Sequence, residues 1–267
     1  MKRALPVALT VAGSDPAGGA GIQGDLRAFA AVGVHGLSVL TAIVAQGTRG
    51  VRASFPLPAA QVRAQLEAVL EDVRADGAKT GMLGTHEIVA EVVAVFAARP
   101  RLPLVVDPVI RSSSGAALLD DAGVRLLRER LLPRATLVTP NCDELAALLE
   151  ERVAPRDPEA LARAAERLRA RGVAAVLAKG GHLDGAPVDV LVDAEGTLAL
   201  PAERIVTTCT RGTGCTLSAA IAAHLARGET LRGAVIAARS LLLRALADAE
   251  PIGEGASPTD PLGLCRR

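Results

Sequence analysis

Aromatic side chains are nearly missing from this 267-residue chain, which has three Phe, no Trp and no Tyr. Proteins that grip single-stranded nucleic acid stack bases on aromatic platforms, and this composition excludes that design. A flat ring bound here has to lie between aliphatic or Met side chains. Excess charge of one sign is missing too: 30 Lys and Arg stand against 29 Asp and Glu. The signs are interspersed, as over residues 159–171, and no basic run follows a phosphate backbone, so nucleic acid is not an expected partner. No uncharged apolar run reaches the roughly 18 residues a bilayer span requires, so no membrane partner is expected either. The opening MKRALPVALTVAGSDPAGG has the outline of a signal peptide, but it runs into a Gly-rich turn without an Ala-x-Ala-type cleavage site and reads as a first buried strand. The four cysteines (Cys142, Cys209, Cys215, Cys265) form no CxxC pair, and the four histidines show no HxxxH spacing. A reduced, cytoplasmic protein without a dedicated zinc site is the expectation.

Half of the chain is hydrophobic and 22% is charged. That composition and length suit one α/β domain over residues 1–267 with a large core. Apolar runs of strand length alternate with helical patterns. Strands are predicted over residues 5–12, 37–45, 76–83, 102–106, 136–139 and 173–178, and a hairpin over 188–200. Helices are predicted after Pro58, over 87–98, from Asp143, over 160–171, from Gly212 to Ala226, and over 231–249. Strand–helix alternation implies right-handed crossovers and a mostly parallel central sheet with helices on both faces. A (β/α)₈ barrel has a similar strand count, but the internal hairpin argues against it. In either architecture ligands gather at the carboxyl ends of the parallel strands. Gly13-Ser14-Asp15, Gln46, Lys79-Thr80-Gly81, Asp107, Asn141 and Lys179 all fall there.

Residues 19–24 match G-x-G-x-x-G literally. A dinucleotide site needs these glycines directly after the strand and an acidic residue about 20 positions on, and both conditions fail. No P-loop exists, and Ser112-Ser113-Ser114-Gly115 is not a nucleophile elbow. Residues 13–24 therefore read as a flexible turn or as a Gly-rich loop close to a small substrate. Thr210-Arg211-Gly212-Thr213-Gly214-Cys215-Thr216 precedes an Ala-rich helix. Unpaired N–H groups of Gly212, Thr213 and Gly214, with the helix dipole behind them, suit an anion hole for a phosphoryl group. Cys215 would stand at that helix N-terminus, where a thiolate is stabilised. Asp107 and Glu144 offer hard oxygen ligands for Mg²⁺ held largely through water, while helix capping by Asn141 and Asp143 explains the second junction equally well. Lys79 and Lys179 are two of three lysines, each within two residues of a Gly, where an ammonium reaches phosphate.

The stretches AGSDPAGGAGIQGDL, LTAIVAQGT, KTGMLG, VVDPVI, TPNCDE, AKGGH and RGTGCTLSAAIAAHLARG, in this order, resemble the hydroxymethylpyrimidine and phosphomethylpyrimidine kinases. The resemblance implies a ribokinase-like α/β fold, a homodimer, and two successive MgATP-dependent transfers, first to a hydroxymethylpyrimidine and then to its monophosphate. By motif, it implies a pyrimidine pocket lined by Gly13, Asp25, Val44, Gln46, Met82, Val109 and Cys215. Asp107, Asn141, Glu144, Lys179 and Thr213 are implied on the Mg²⁺ and ATP-phosphate side, with Gly212, Gly214, Lys179 and Cys215 at the transfer itself. Cys215 stands where related sugar kinases place an aspartate base. The chain departs from the family at Thr208-Cys209-Thr210-Arg211, where Lys-Asn-Thr-His is usual, at Ser113, and at Gly253-Glu254-Gly255-Ala256. Arg211 is expected to add a phosphate contact. Competing readings are a pyridoxal kinase of the same family and a non-catalytic pyrimidine-sensing module.

Overall fold

The apolar runs owe their continuity to burial on both sides of one sheet. The computed structural model of the chain describes residues 5–112 and 115–265; Ser113 and Ser114, and the charges of Lys2 and Arg3, lie outside them. Eight strands form the main sheet: β1 (Val7–Ala12), β2 (His35–Leu40), β5 (Gly77–Thr80), β6 (Leu104–Val106), β7 (Leu137–Val138), β8 (Val176–Ala178), β9 (Val188–Asp193) and β10 (Gly196–Pro201). Their order is β10-β9-β8-β7-β6-β5-β1-β2, parallel from β2 through β8 and antiparallel across the β9–β10 hairpin. Alternate residues feed two cores. Leu9, Val11, Leu104, Val106, Val138, Val176 and Val190 face one side, and Ala8, Val105, Leu137, Leu177 and Leu191 face the other. This is the period-two signature of strands covered on both faces.

Against the first face pack α2 (Ala59–Asp72), α3 (His86–Ala97), α5 (Cys142–Leu149) and α6 (Pro158–Ala170). Against the second lie α1 (Gly21–Ala31), α7 (Thr213–Ala226) and α8 (Leu231–Ala247). The Ala-rich composition of α7 reflects how closely it lies on the sheet. A Cβ at Gly77 would stand 2.8 Å from the Ala222 carbonyl oxygen, so strand and helix touch backbone to backbone. Among the described residues, no helix is long and apolar enough to cross a membrane.

Three regions differ from the sequence expectation. The run over 37–45 is two strands: β2 ends at Leu40, and β3 (Ala42–Gly47) leaves the main sheet to pair with β4 (Gly50–Pro56). Thr41 is the corner, donating its N–H to Ala12 O and its hydroxyl to Met82 O. An apolar run reports burial, not which sheet buries it. Most of the G-x-G-x-x-G segment is not loop, because Gly21 opens α1. Residues 121–134, left unassigned by periodicity, form α4 (Asp121–Leu126), a π-helical turn and a 3₁₀ turn.

β1 is followed in the sheet by β2 on one side and β5 on the other, so the strand order reverses between β1 and β5. The crevice at their carboxyl ends is where an open α/β sheet accepts ligands.

Candidate active site

The loops leaving β1, β5, β6, β7 and β8 carry Gly13, Gly81-Met82, Asp107, Asn141 and Lys179 to this crevice, opposite the N-terminus of α7. On its apolar side, a Cβ at Gly13 would lie 3.2 Å from the Met82 sulfur, so the thioether folds over the end of β1. β3 brings Val44 and Gln46 to the same loop. The Val44 N–H donates to Ser14 Oγ at 3.0 Å, and Gln46 Nε2 donates to the Ser14 carbonyl at 3.3 Å. A bulge between Ala45 and Gln46 re-aims the second side chain. Val109 is half-buried just beyond Asp107.

On the polar side, Lys179 Nζ stands 2.8 Å from Asp107 Oδ1 and 3.8 Å from Glu144 Oε2. Thr139 Oγ1 donates to Asp107 Oδ1 at 3.1 Å, and Ser218 Oγ lies 3.4 Å from Oδ2. Burial opposes ionisation of Asp107, but Lys179 and Lys79 outweigh it and hold the carboxyl below its usual range. Burial pushes the Glu144 carboxyl up to about 7, with Asp107 adding to the effect and Lys179 opposing it. Lys179 is held above the ordinary lysine range, because Asp107 and Glu144 overcome its own desolvation.

Capping explains part of this geometry. Asn141 Oδ1 accepts the Glu144 N–H at 2.9 Å while Glu144 Oε2 accepts the Asn141 N–H at 2.8 Å, a reciprocal box that starts α5. The capping pair is thus Asn141 with Glu144, not with Asp143.

Gly212 caps α7 with φ +75, and a Cβ there would overlap the Gly19 carbonyl oxygen. Only glycine fits, and the contact seats the β1 loop against the helix start. At Gly214 a Cβ would stand 3.1 Å from Lys179 Nζ and 3.6 Å from Asp107 Oδ2. Leaving that Cβ out opens a small cradle between the helix N–H groups, an ammonium and a carboxylate. Its donor set suits a phosphate, with Asp107 and Glu144 as hard-oxygen partners for a hydrated divalent cation.

Two expected roles change. Lys79 is neither solvated nor open to a ligand: it is fully buried and paired with Asp25, whose carboxylate also accepts from Thr10 Oγ1. Thr10 and Lys79 are neighbours in register on β1 and β5, both facing α1. Asp25 therefore reaches the site as the anchor of an ion pair beneath it. Cys215 is partly exposed at the first turn of α7, but no thiolate is favoured. Burial pushes the thiol up to about 11, against Lys79 and a hydrogen bond from the Gly21 backbone, with Asp25 and Asp107 adding to the rise. The helix terminus is outweighed by desolvation and two carboxylates.

The expected phosphate contact of Arg211 also finds another partner. Its Nε donates to Asp15 Oδ2 at 2.9 Å. Asp15 was legible only as a polar residue at a strand end, because its partner lies 196 positions away. Ser218 and Thr139 lie within motif stretches but are not singled out by them, since a hydroxyl in the first turns of a helix or at a strand end gives no local sign that a carboxylate 111 or 32 positions away is its partner.

Known proteins share this fold and much of this sequence. The chain is 47% identical to a hydroxymethylpyrimidine/phosphomethylpyrimidine kinase of Streptomyces coelicolor, over 96% of this chain and 94% of that one. It is likewise 47% identical to the Escherichia coli protein of the same name, over 94% and 95%. An ADP complex of Bacillus subtilis pyridoxal kinase superposes with a TM-score of 0.89 at 34% identity, covering 98% of this chain and 99% of that one. The phosphomethylpyrimidine kinase of Clostridium difficile gives 0.79 at 38% identity, covering 89% and 98%. With residues 15–260 matching the family model for phosphomethylpyrimidine kinase, and near half identity along almost the whole length of such kinases, this chain belongs to the phosphomethylpyrimidine kinase family.

Proposed function

We propose that this protein is an ATP-dependent kinase that phosphorylates 4-amino-5-hydroxymethyl-2-methylpyrimidine and then its monophosphate, supplying the diphosphate used in thiamine synthesis. The observation that carries this reading is the near half identity to hydroxymethylpyrimidine/phosphomethylpyrimidine kinases along almost the full chain.

In this reading the pyrimidine lies among Gly13, Val44, Met82 and Val109. Gln46 addresses its ring nitrogen and amine, a pairing suited to a carboxamide that both donates and accepts. Asp25 supports the pocket from below. The hydroxymethyl group points at Cys215 and the hole formed by Gly212, Thr213 and Gly214. ATP lies on the Asn141 and Lys179 side, where an ammonium and the start of α5 can meet phosphate oxygens, and the Bacillus subtilis relative of the same fold is an ADP complex. The hydroxymethyl oxygen of the pyrimidine attacks the γ-phosphorus of ATP, the bond from that phosphorus to the β,γ-bridging oxygen breaks, and ADP leaves. The hydroxyl proton passes to a phosphate oxygen or to solvent. Magnesium, when bound, neutralises phosphate charge, and Asp107 and Glu144 would hold it.

Such transfers have a loose transition state, so placement and charge neutralisation matter more than a strong base. A thiol with its pKa near 11 fits that requirement: Cys215 acts as a protonated, close-packed partner of the acceptor oxygen. The second transfer repeats the first, with a monophosphate oxygen as nucleophile. Residues 1–267 are read as one kinase domain of a cytoplasmic homodimer. Ile43 and Phe55, cross-strand partners on the β3–β4 hairpin and more than half exposed, offer an apolar surface for the second copy.

Pyridoxal is the second reading, favoured by the TM-score of 0.89 to pyridoxal kinases. Mass spectrometry of products from MgATP with each substrate decides between them. Mono- and then diphosphate from the pyrimidine is expected. Phosphate on pyridoxal alone would move the chain to that second reading, and tight pyrimidine binding with no product would make it a sensor.

A further inference from the structure

The ion pair between Arg211 and Asp15 has no part in the chemistry above, yet it sits where the two halves of the site meet. The Asp15 side chain is fully buried and that of Arg211 is 10% exposed. Besides Arg211, the Asp15 carboxylate accepts the N–H groups of Ala17 at 3.0 Å and Ala20 at 2.8 Å. Its own N–H donates to Gln23 Oε1 at 2.8 Å. Asp15 thus organises the whole loop from β1 to α1. One residue earlier, Ser14 holds Val44 and Gln46 through its hydroxyl and carbonyl. On the other side, the Arg211 N–H donates to Ser257 O at 3.0 Å, and the next residue is the Gly212 cap pressed against Gly19. A continuous path therefore runs from Gln46 through Ser14, Asp15 and Arg211 to the glycines that open α7.

We propose that Arg211 is a positioning residue that acts through Asp15 to set the separation between the substrate loop and the anion hole. This rests on the kinase reading above. A guanidinium suits the task because its donors are held rigidly in one plane, whereas an ammonium is a point charge on a flexible stem. Transfer depends on the acceptor oxygen lying in line with the phosphorus, and a displacement of about 1 Å in such a site costs on the order of 100-fold in rate. Arg211 exerts its effect on turnover, not on nucleotide affinity.

The test combines steady-state kinetics with amide hydrogen exchange for wild type, Arg211→Ala, Arg211→Lys, Asp15→Asn and the double variant. Arg211→Ala is expected to lower kcat about 10- to 100-fold while KM for MgATP stays within about 2-fold. Exchange over residues 15–22 and 212–216 is expected to rise together. Arg211→Lys is expected to recover part of kcat, and the double variant to be no slower than Arg211→Ala. A raised KM for MgATP with kcat retained would make Arg211 a phosphate ligand and overturn the proposal. Losses that multiply in the double variant, or exchange that does not change, would overturn it too. If Arg211→Ala does not fold, Arg211→Lys and Asp15→Asn carry the same comparison. A wild type inactive on the pyrimidine would sink the kinase reading instead, and the exchange data would still decide whether the link exists.

Discussion

The Lys79 ammonium stands 2.8 and 2.9 Å from the two carboxylate oxygens of Asp25, and neither side chain has any exposure to water. The pair lies between the central strands and α1, directly under the crevice. Burial works against the charged form of both groups; it pushes the Asp25 carboxyl up against Lys79, while Asp25, Cys215 and Asp107 hold Lys79 above the usual lysine range. Two charges in such a place are costly unless each satisfies the other. That makes the pair sensitive to loss of one member and tolerant of loss of both.

Removing one partner leaves the other uncompensated. Lys79→Met or Asp25→Leu is expected to destabilise the fold by about 3–5 kcal/mol, whereas the double replacement costs less than either alone. Chemical denaturation of the three variants measures this. Single-variant losses below about 1 kcal/mol would mean that water reaches the pair.

Cys215 is expected to behave as a protonated thiol at neutral pH. Its carboxamidomethylation by iodoacetamide, followed by peptide mass spectrometry, should rise with pH toward a midpoint near 11. The folded pKa lies above the ordinary value of 9, so the folded state keeps a proton that the unfolded chain releases. The associated stability is complete below pH 9 and is lost as the pH rises through about 11. Cys215→Ala is expected to lower turnover strongly and leave ATP binding intact. A labelling midpoint near neutrality would restore the thiolate and the base role.

Gly212 and Gly228 both adopt positive φ, +75 and +83, but only Gly212 has a neighbour in the way. Alanine at Gly228 should cost only the left-handed backbone penalty, about 1–2 kcal/mol, and leave kcat unchanged. Alanine at Gly212 must also displace the Gly19 carbonyl. It is expected to lower kcat by about 100-fold or more, as loss of an anion-hole donor does. Equal activity in the two variants would show that the contact with Gly19 has no bearing on catalysis.

How much of this was legible in advance follows from what a local pattern encodes. The strands β1, β5, β6, β7 and β8 were readable because burial on both faces leaves an apolar run, and most of their ends because glycine, proline and polar residues stop it; β5 stops at Thr80, before the expected end at Leu83. The start of α7 was readable because two glycines before an Ala-rich segment leave few other conformations. The helix α1 was not, since its first turn is built on Gly21 and Gly24, which lower helical propensity and read as a continuation of the glycine-rich loop. β4 and the division of the run over 37–45 were missed for a related reason. Strand periodicity is the same whether the partner is the main sheet or a two-stranded flap.

By itself, then, the sequence determined the layered α/β architecture, the parallel strand ends as the place of chemistry, and the family to which the motifs belong. These depend on short-range order: apolar period, turn residues and motif spacing. Only the tertiary structure decided what each charged group does there. Lys79 is taken by Asp25 at a separation of 54 residues, Lys179 by Asp107 at 72 and Arg211 by Asp15 at 196. A side chain's charge state and reach are set by the groups that close around it, and those groups arrive from strands and loops that meet only when the chain has folded.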